Sequence, residues 1–544
     1  MLLPARYLAF AVCLLLTLGA LIGLFWSDDW IGLALGAGFL SIVGVVDLLQ
    51  PRQAIRRSYP VIAHLRYFLE SIGPEIRQYF IEADNDERPF SRQQRAIVYQ
   101  RAKNTLDKRP FGTQLDVYAD NYEWMNHSLA PVDVPSHDFR ILVGEGRTQP
   151  YSASVFNISA MSFGALSANA IRALNEGARQ GSFYHDTGEG SISQYHRENG
   201  GDLVWEIGSG YFGCRDEHGN FNEERFIANA AAAQVRMIEV KLSQGAKPGH
   251  GGVLPGVKVS PEIAAARGVP VGADCVSPPR HSAFSTPIGL LRFVDHLRNL
   301  SGGKPTGFKL AIGHPWEWFA IAKAMQESGI VPDFIVVDGG EGGTGAAPLE
   351  FTDHVGAPLR EALLLVHNTL VGLGLRQRIR IGAAGKVISA FDIARTLALG
   401  ADWCNAARGY MFALGCVQSL SCHTDRCPTG VATQNQDRQR ALDPQDKATR
   451  VFRYHENTLM ALRELIAAAG LQHPGEIGPE HIIRRVSSTE VRSLSVLLRF
   501  MQPGELLAGE IPDHPAFRAF WASARSDTFA APAAIQALRM TKLA

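Results

Sequence analysis

Cysteine is scarce in this chain, seven among 544 residues, and no C-x-x-C pair occurs. The scarcity argues against a disulfide framework, which a chain long enough to be held by burial does not need. The missing pair argues against the usual zinc finger or ribbon. Net charge is absent too: 53 basic side chains meet 53 acidic ones, whereas a general nucleic-acid binder carries a basic excess. No G-x-G-x-x-G follows an early strand, so a Rossmann dinucleotide site has no support. Neither a solenoid-type repeat nor a low-complexity tract occurs. The length leaves room for one large catalytic domain with additions, or for two or three domains.

Against that scarcity, three cysteines crowd into one loop, GCVQSLSCHTDRCPTGVATQ (415–434). Cys416, Cys422 and Cys427 are spaced C-x5-C-x4-C. Three soft thiolates on one tight loop suit an iron–sulfur cluster. Cys13, Cys214, Cys275 and Cys404 are scattered, as free buried thiols in a reducing compartment would be.

Long uncharged runs appear only at the N-terminus. YLAFAVCLLLTLGALIGLFW (7–26) and WIGLALGAGFLSIVGVV (30–46) carry no charge and are separated by Ser27-Asp28-Asp29. Trp26 and Trp30 sit where interfacial aromatics belong, with Arg6 before the first run and Arg52, Arg56 and Arg57 after the second. The expectation for residues 1–50 is a two-helix transmembrane hairpin with both ends cytoplasmic. It places the protein at the inner membrane, catalytic domain facing the cytoplasm. The rival, a signal peptide followed by a buried helix, lacks an A-x-A-like site.

Residues 51–140 read as a lead-in. Beyond them, short apolar strands alternate with amphipathic helices: SVFNISAMSFGALS, FKLAIG, DFIVVDGG, RIRIGAAG and ADWCNAARG each end a strand in a glycine-containing or small-residue loop. Repeated strand–helix units over this length predict an α/β fold, a (β/α)8 TIM barrel, with a doubly wound open sheet as runner-up. The barrel is expected over 141–475 and a C-terminal helical extension over 476–544. In such a barrel a phosphate sits at the loops after the last strands. Gly382 and Gly385, then Arg408 and Gly409, occupy those loops, and DGGEGGTGAAP (338–348) is a third glycine cluster. Lys309, inside FKLAIG, needs a partner if buried, and an electron-rich flavin ring would be one. In EVKLSQGAKPGHGGVLPGVKVSPEIAAARG (239–268), Lys241, Lys247 and Arg267 suit a small dicarboxylate. Ordinary solvated lysines are the alternative. Glu189 in TGEG offers a carboxylate for proton transfer.

MSFGALS, TGEG, KLSQGAKPGHGG with LPG, VSPPRHSAFS, DGGEGGTGAAP and CVQSLSCHTDRCPTGVATQ occur in this order. Together they resemble the FMN-binding synthase domain of glutamate synthase, over about residues 140 to 475. The resemblance implies a (β/α)8 barrel holding FMN and a three-iron (3Fe–4S) cluster on Cys416, Cys422 and Cys427. It implies that Lys241, Lys247 and Arg267 bind 2-oxoglutarate and that Glu189 is the family's loop glutamate. It places FMN contacts on Met161, Ser162, Lys309, Gly339, Gly340, Gly342, Gly343, Thr344, Gly382, Gly385, Arg408 and Gly409.

Three positions depart from the family. His250 and Val253 stand where a glutamate and a glutamine are usual, and the glutamine reaches the keto acid there. Arg280 replaces a histidine in SPPRHSA. The expected activity is reductive amination of 2-oxoglutarate, or a similar keto acid, by ammonia or an amine. Electrons would come from a one-electron donor such as ferredoxin or a reductase subunit. One alternative is a related FMN oxidoreductase of the N-methylglutamate synthase type. The other is a membrane-tethered electron-transfer module, which would have no use for a dicarboxylate pocket.

Overall fold

The computed structural model describes residues 5–51, 53–81, 88–511 and 513–537. Arg52, one of the cations expected to follow the second apolar run, lies outside the described residues. The chain divides into two compact units, Met1–Arg88 and Pro89–Ala544.

In the first unit the two apolar runs are helices, α1 (Leu8–Gly23) and α2 (Ile31–Leu49). They run side by side: the Thr17 and Ser41 hydroxyls share a 2.9 Å hydrogen bond, and Gly44 lies flat against the Phe10 ring. The stretch Asp28–Leu49, 22 residues, is long and apolar enough to cross a membrane, and Leu8–Gly23 is shorter. At the end of α2 the buried Asp47 carboxylate accepts from Val61 N–H at 3.0 Å and meets His64 Nε2 at 2.9 Å.

The second unit is built on eight strands. They are β1 (Phe156–Ile158), β2 (His185–Asp186), β3 (Leu203–Ile207), β4 (Val235–Lys241), β5 (Thr306–Leu310), β6 (Phe334–Asp338), β7 (Arg380–Ala384) and β8 (Trp403–Ala406). Each pairs in parallel with its neighbours in chain order, and β8 closes on β1, so the expected closed barrel is what forms. Side chains alternate along each strand. Ile207, Val240, Phe308, Ile335 and Ile381 join the main core with the surrounding helices. Val204, Met237, Phe334, Val336 and Trp403 form a second, separate cluster, the opposite face of the same strands. The antiparallel hairpin Arg140–Val143 with Tyr151–Ser154 adds Val143, Tyr151 and Ala153 to that cluster. This apolar layer comes from the early residues of the strands, so polar side chains are left for the later ones.

The lead-in is not one piece. Its second half contains a helix, Arg92–Lys103, begun by a capping box between Ser91 and Gln94. That helix lies on the long helix Pro444–Ala469, where Arg101 donates to Thr458 Oγ1 at 3.3 Å. The C-terminal extension corrects the helical expectation. Ile482–Arg485 is a strand that pairs with Glu123–Met125 on one side and with Val491–Ser493 on the other, in a three-stranded antiparallel sheet. Its pairing partner is some 360 residues away in sequence, so no local pattern reveals it. Glu123, its side chain 5% exposed, fastens the sheet to the barrel helices, accepting from Arg360, Arg395 and Arg484.

Candidate functional site

The polar half of the barrel starts where the apolar layer stops. Asp186, Glu206 and Glu239, one each from β2, β3 and β4, bring carboxylate oxygens within 4.8 Å of one another. Lys309 on β5 donates to Glu206 Oε2 at 3.0 Å and lies 3.9 Å from Asp338 Oδ2 at the end of β6. Lys309 therefore meets carboxylates from two strands, β3 and β6. Burial, then Glu206, push Asp186 up from its ordinary range, and burial with Asp186 does the same to Glu239. Burial works to lower the Lys309 pKa, but Glu206, Asp338, Glu239 and Asp186 outweigh it and hold the ammonium charged. One oxygen of Glu239, Oε1, has no hydrogen-bond partner. Sequence reading missed these carboxylates because a lone acid in LVWEI or VRMIEVK gives no sign of which side of the strand faces inward.

Above them β4 ends at Lys241, whose ammonium contacts Glu189 Oε1 at 3.1 Å. An open cleft is lined there by Glu189, Lys241, Gln244, Lys247 and His250, among others. Glu189, Lys241 and Lys247 thus come together as expected. Burial works to raise the Glu189 pKa, yet Lys241, Arg267 and Lys247 together hold it below the ordinary range. Burial lowers that of Lys247. Room for the Glu189 carboxylate depends on glycine: a Cβ at Gly252 would stand 2.7 Å from its Oε1.

Arg267 is placed differently. It is buried, donates from Nη2 to Phe163 O at 3.1 Å and Ser162 Oγ at 3.4 Å, and stacks over Phe212. Its charge still reaches Glu189, while its Nε has no partner. His250 lines the cleft, with its ring edge-to-face on Phe351. Val253 opens a short strand paired with Val276. His281, beside the Arg280 departure, was not singled out in sequence. Its Nε2 donates to Lys241 O at 2.8 Å and its Nδ1 accepts from Tyr211 at 3.1 Å, and burial lowers its pKa to about 4. A neutral imidazole therefore fixes the backbone that carries Lys241.

The glycine loops close around the same mouth. Gly245 presses on the turn after β6, where a Cβ would fall 1.7 Å from Gly339 O. The amides of Gly339, Gly340 and Gly342 are committed to Ala384 O, Ala357 O and Gly339 O. Gly343 lies against Arg408, whose Nη2 bonds Glu341 O and whose guanidinium covers Phe90. Burial lowers the Arg408 pKa to about 10. Thr344 follows in that loop, and Gly385 closes β7 beside Leu359. Met161 and Ser162 form the loop after β1, with Met161 N–H on Asp186 O. Gly382 and Gly409 have packing duties: a Cβ would meet the Trp403 indole at 2.7 Å in one case and Tyr454 Oη at 2.7 Å in the other.

The cysteine loop runs across this mouth. Gln434 donates to Gly164 O and Leu166 O, and Cys422 touches Gly345. The three thiols lie within electrostatic reach of each other. Burial pushes Cys416 up to about 12 and also raises Cys422. For Cys427 burial is outweighed by Ala432 N–H and the Thr429 and Val431 donors, which lower it. Lys258, also missed in sequence, is buried beneath the loop and donates to Cys422 O at 2.8 Å.

The family model described as the conserved region in glutamate synthase matches residues 126–472. The glutamate synthase large subunit-like protein YerD of Bacillus subtilis (strain 168) is 38% identical over 495 residues, 84% of this chain and 94% of that protein. The archaeal glutamate synthase [NADPH] of Methanocaldococcus jannaschii is 36% identical over 316 residues, 58% of each chain. Among solved structures, flavocytochrome b2 with pyruvate bound aligns over 84% of this chain and 92% of its own, at 14% identity and TM-score 0.40.

Proposed function

The chain belongs to the glutamate synthase family, and from that premise we propose an FMN- and iron–sulfur-dependent enzyme that converts 2-oxoglutarate to glutamate. It is an oxidoreductase of the glutamate synthase type. The observation that carries the finer reading is the cleft where Lys241, Lys247 and Glu189 meet at the ends of the barrel strands. Two ammonium groups beside one carboxylate suit a dianionic keto acid.

The residues present fit both groups. For the flavin there are two glycine loops packed backbone to backbone at the strand ends, where a Cβ at Gly245 or Gly342 would strike the opposite loop, with cationic Lys309 and Arg408 beside them. For the three-iron cluster there are three thiols on one loop, backbone N–H groups around Cys427, and a buried cation in Lys258. When bound, the flavin supplies hydride and the cluster single electrons.

The protein's own residues supply the rest. Lys241 and Lys247 draw in the carboxylates, and His281 holds the Lys241 backbone in place. An incoming carboxylate competes with Glu189 for Lys241, which leaves Glu189 free to exchange a proton at the reacting centre. Ammonia adds to the keto carbon, water leaves, hydride joins that carbon and a proton joins the nitrogen. A substituted amine in place of ammonia is the second reading, favoured by His250 on the cleft wall. The apolar N-terminus is proposed as a membrane anchor that leaves the enzyme in the cytoplasm.

The test is an anaerobic titration of the reduced protein with 2-oxoglutarate and ammonia, following flavin absorbance and glutamate by mass spectrometry. Reoxidation with stoichiometric glutamate is expected. No response to any dicarboxylate keto acid, with any amine, would leave the electron-transfer reading.

A further inference from the structure

Lys258 closes the short turn Gly256–Lys258 between the cleft and the helix that ends at Arg267. Its side chain is buried, 3% exposed. The ammonium donates to Cys422 O at 2.8 Å and Ala432 O at 3.4 Å, two carbonyls on opposite sides of Cys427. Neither acceptor carries a charge. Among the described residues no carboxylate comes within ion-pair distance of it: Asp425 acts on it from farther off. That carboxylate is already engaged by Gln434 N–H at 2.7 Å and Thr433 Oγ1 at 3.2 Å. A buried cation with only neutral partners is costly, and an anion at the site would offset the cost. The groups its charge does reach are the thiols of Cys422 and Cys427.

We propose that the Lys258 ammonium is the fixed countercharge of the three-cysteine site, raising the reduction potential of the group bound there while its two carbonyl bonds tie the halves of the loop together. The inference rests on the iron–sulfur reading above. Three thiolates bring negative charge to the site, and one-electron reduction adds one more. A fixed cation in a poorly polarisable environment favours the reduced form. Arg95 acts on the Cys416 thiol, whereas Lys258 bonds the Cys422 carbonyl and its charge reaches Cys422 and Cys427, so the share of the effect at those two cysteines is assigned to Lys258.

The experiment is a redox titration of the full-length protein followed by electron paramagnetic resonance, comparing wild type, Lys258→Met and Lys258→Arg at equal iron content. The Met variant should titrate at a clearly more negative potential, and Arg should stay near wild type because it keeps the charge. Flavin potential should be unmoved in both, which separates a local charge effect from general loosening. If Lys258→Met retains its iron and titrates at the wild-type potential, the proposal is overturned. If the Met variant loses its iron, Arg decides: restored iron at the wild-type potential supports the charge, and loss of iron from both with flavin retained overturns it. A wild type that carries flavin and no iron defeats the three-cysteine reading itself, a failure seen before any variant is made.

Discussion

At the scale of single residues, Asp186 is under a tight electrostatic constraint. It shares a dry space with Glu206 and Glu239, and one ammonium, Lys309, cannot balance all of them. Burial and Glu206 raise its pKa to about 8, so the folded protein keeps a proton that the unfolded chain gives up near pH 4. The stability this proton supports is full below pH 4 and is lost as pH rises through the folded value. The wild type should lose up to about 1.4 kcal/mol per pH unit across that window. Asp186→Asn has no such proton to lose, so its stability relative to wild type should climb between about pH 4 and 8 and then level off. Denaturant unfolding in detergent over a pH series measures this; a flat difference would mean that Asp186 is ionised when folded. The cleft makes a separate demand. Lys241→Met or Lys247→Met should cost about 1.5–3 kcal/mol of keto-acid binding, roughly ten- to a hundredfold, with the flavin spectrum intact. Glu189→Gln should act oppositely on binding, because it frees Lys241, while turnover falls. Ligand titrations and steady-state rates separate the two effects.

At the scale of elements, alternation explains both what the sequence reveals and what it hides. β6 is legible as a strand because its apolar residues are β-branched or aromatic and it ends at glycine. β2 is two residues long and carries no period to read. Lys309 stands out as a cation in an apolar strand, yet its carboxylate partners come from β3 and β6, which strand pairing in the sheet brings near. Gly382 is the instructive case. Its position after RI in RIGAAGK suggests a phosphate loop, but β7 continues to Ala384 and leaves Gly382 inside the strand. The indole it faces is pinned, since Trp403 Nε1 donates to Tyr184 Oη at 2.8 Å, and so cannot retreat. Gly382→Ala should therefore cost about 1–3 kcal/mol of stability through overpacking and leave flavin affinity of the folded protein unchanged. Thermal unfolding beside flavin titration checks it. Weakened flavin binding at unchanged stability would return Gly382 to the cofactor loop.

At the scale of the whole molecule, the proposed chemistry and the proposed anchor fall in separate units. Every residue assigned to the cleft, the glycine loops or the cysteine loop belongs to Pro89–Ala544, and the apolar helices belong to Met1–Arg88. The cysteine loop was legible because three thiols in twelve residues need no tertiary information, whereas the C-terminal sheet was hidden by its distant pairing. The N-terminus is legible by composition, and its exposed apolar side chains carry the argument further. Leu15, Phe25, Leu35, Phe39 and Ile42 are each more than half exposed in the described unit. Helices that point such residues outward in water would expose an apolar surface of the kind that marks a membrane or partner contact. Asp28–Leu49 has the length to span, and Leu8–Gly23 at 16 residues falls short of the usual ~20, so the second helix should hold the protein more firmly than the first. The full chain is expected in the membrane fraction, resistant to carbonate and high-salt washing. Placing two arginines at Leu35 and Phe39 should release it, and the same change at Leu15 and Leu18 should weaken retention less. A C-terminal reporter active only in the cytoplasm is the matching expectation for orientation. Protein that washes off with salt alone, or a reporter active only outside, would remove the anchor from this reading and leave the barrel chemistry as it stands.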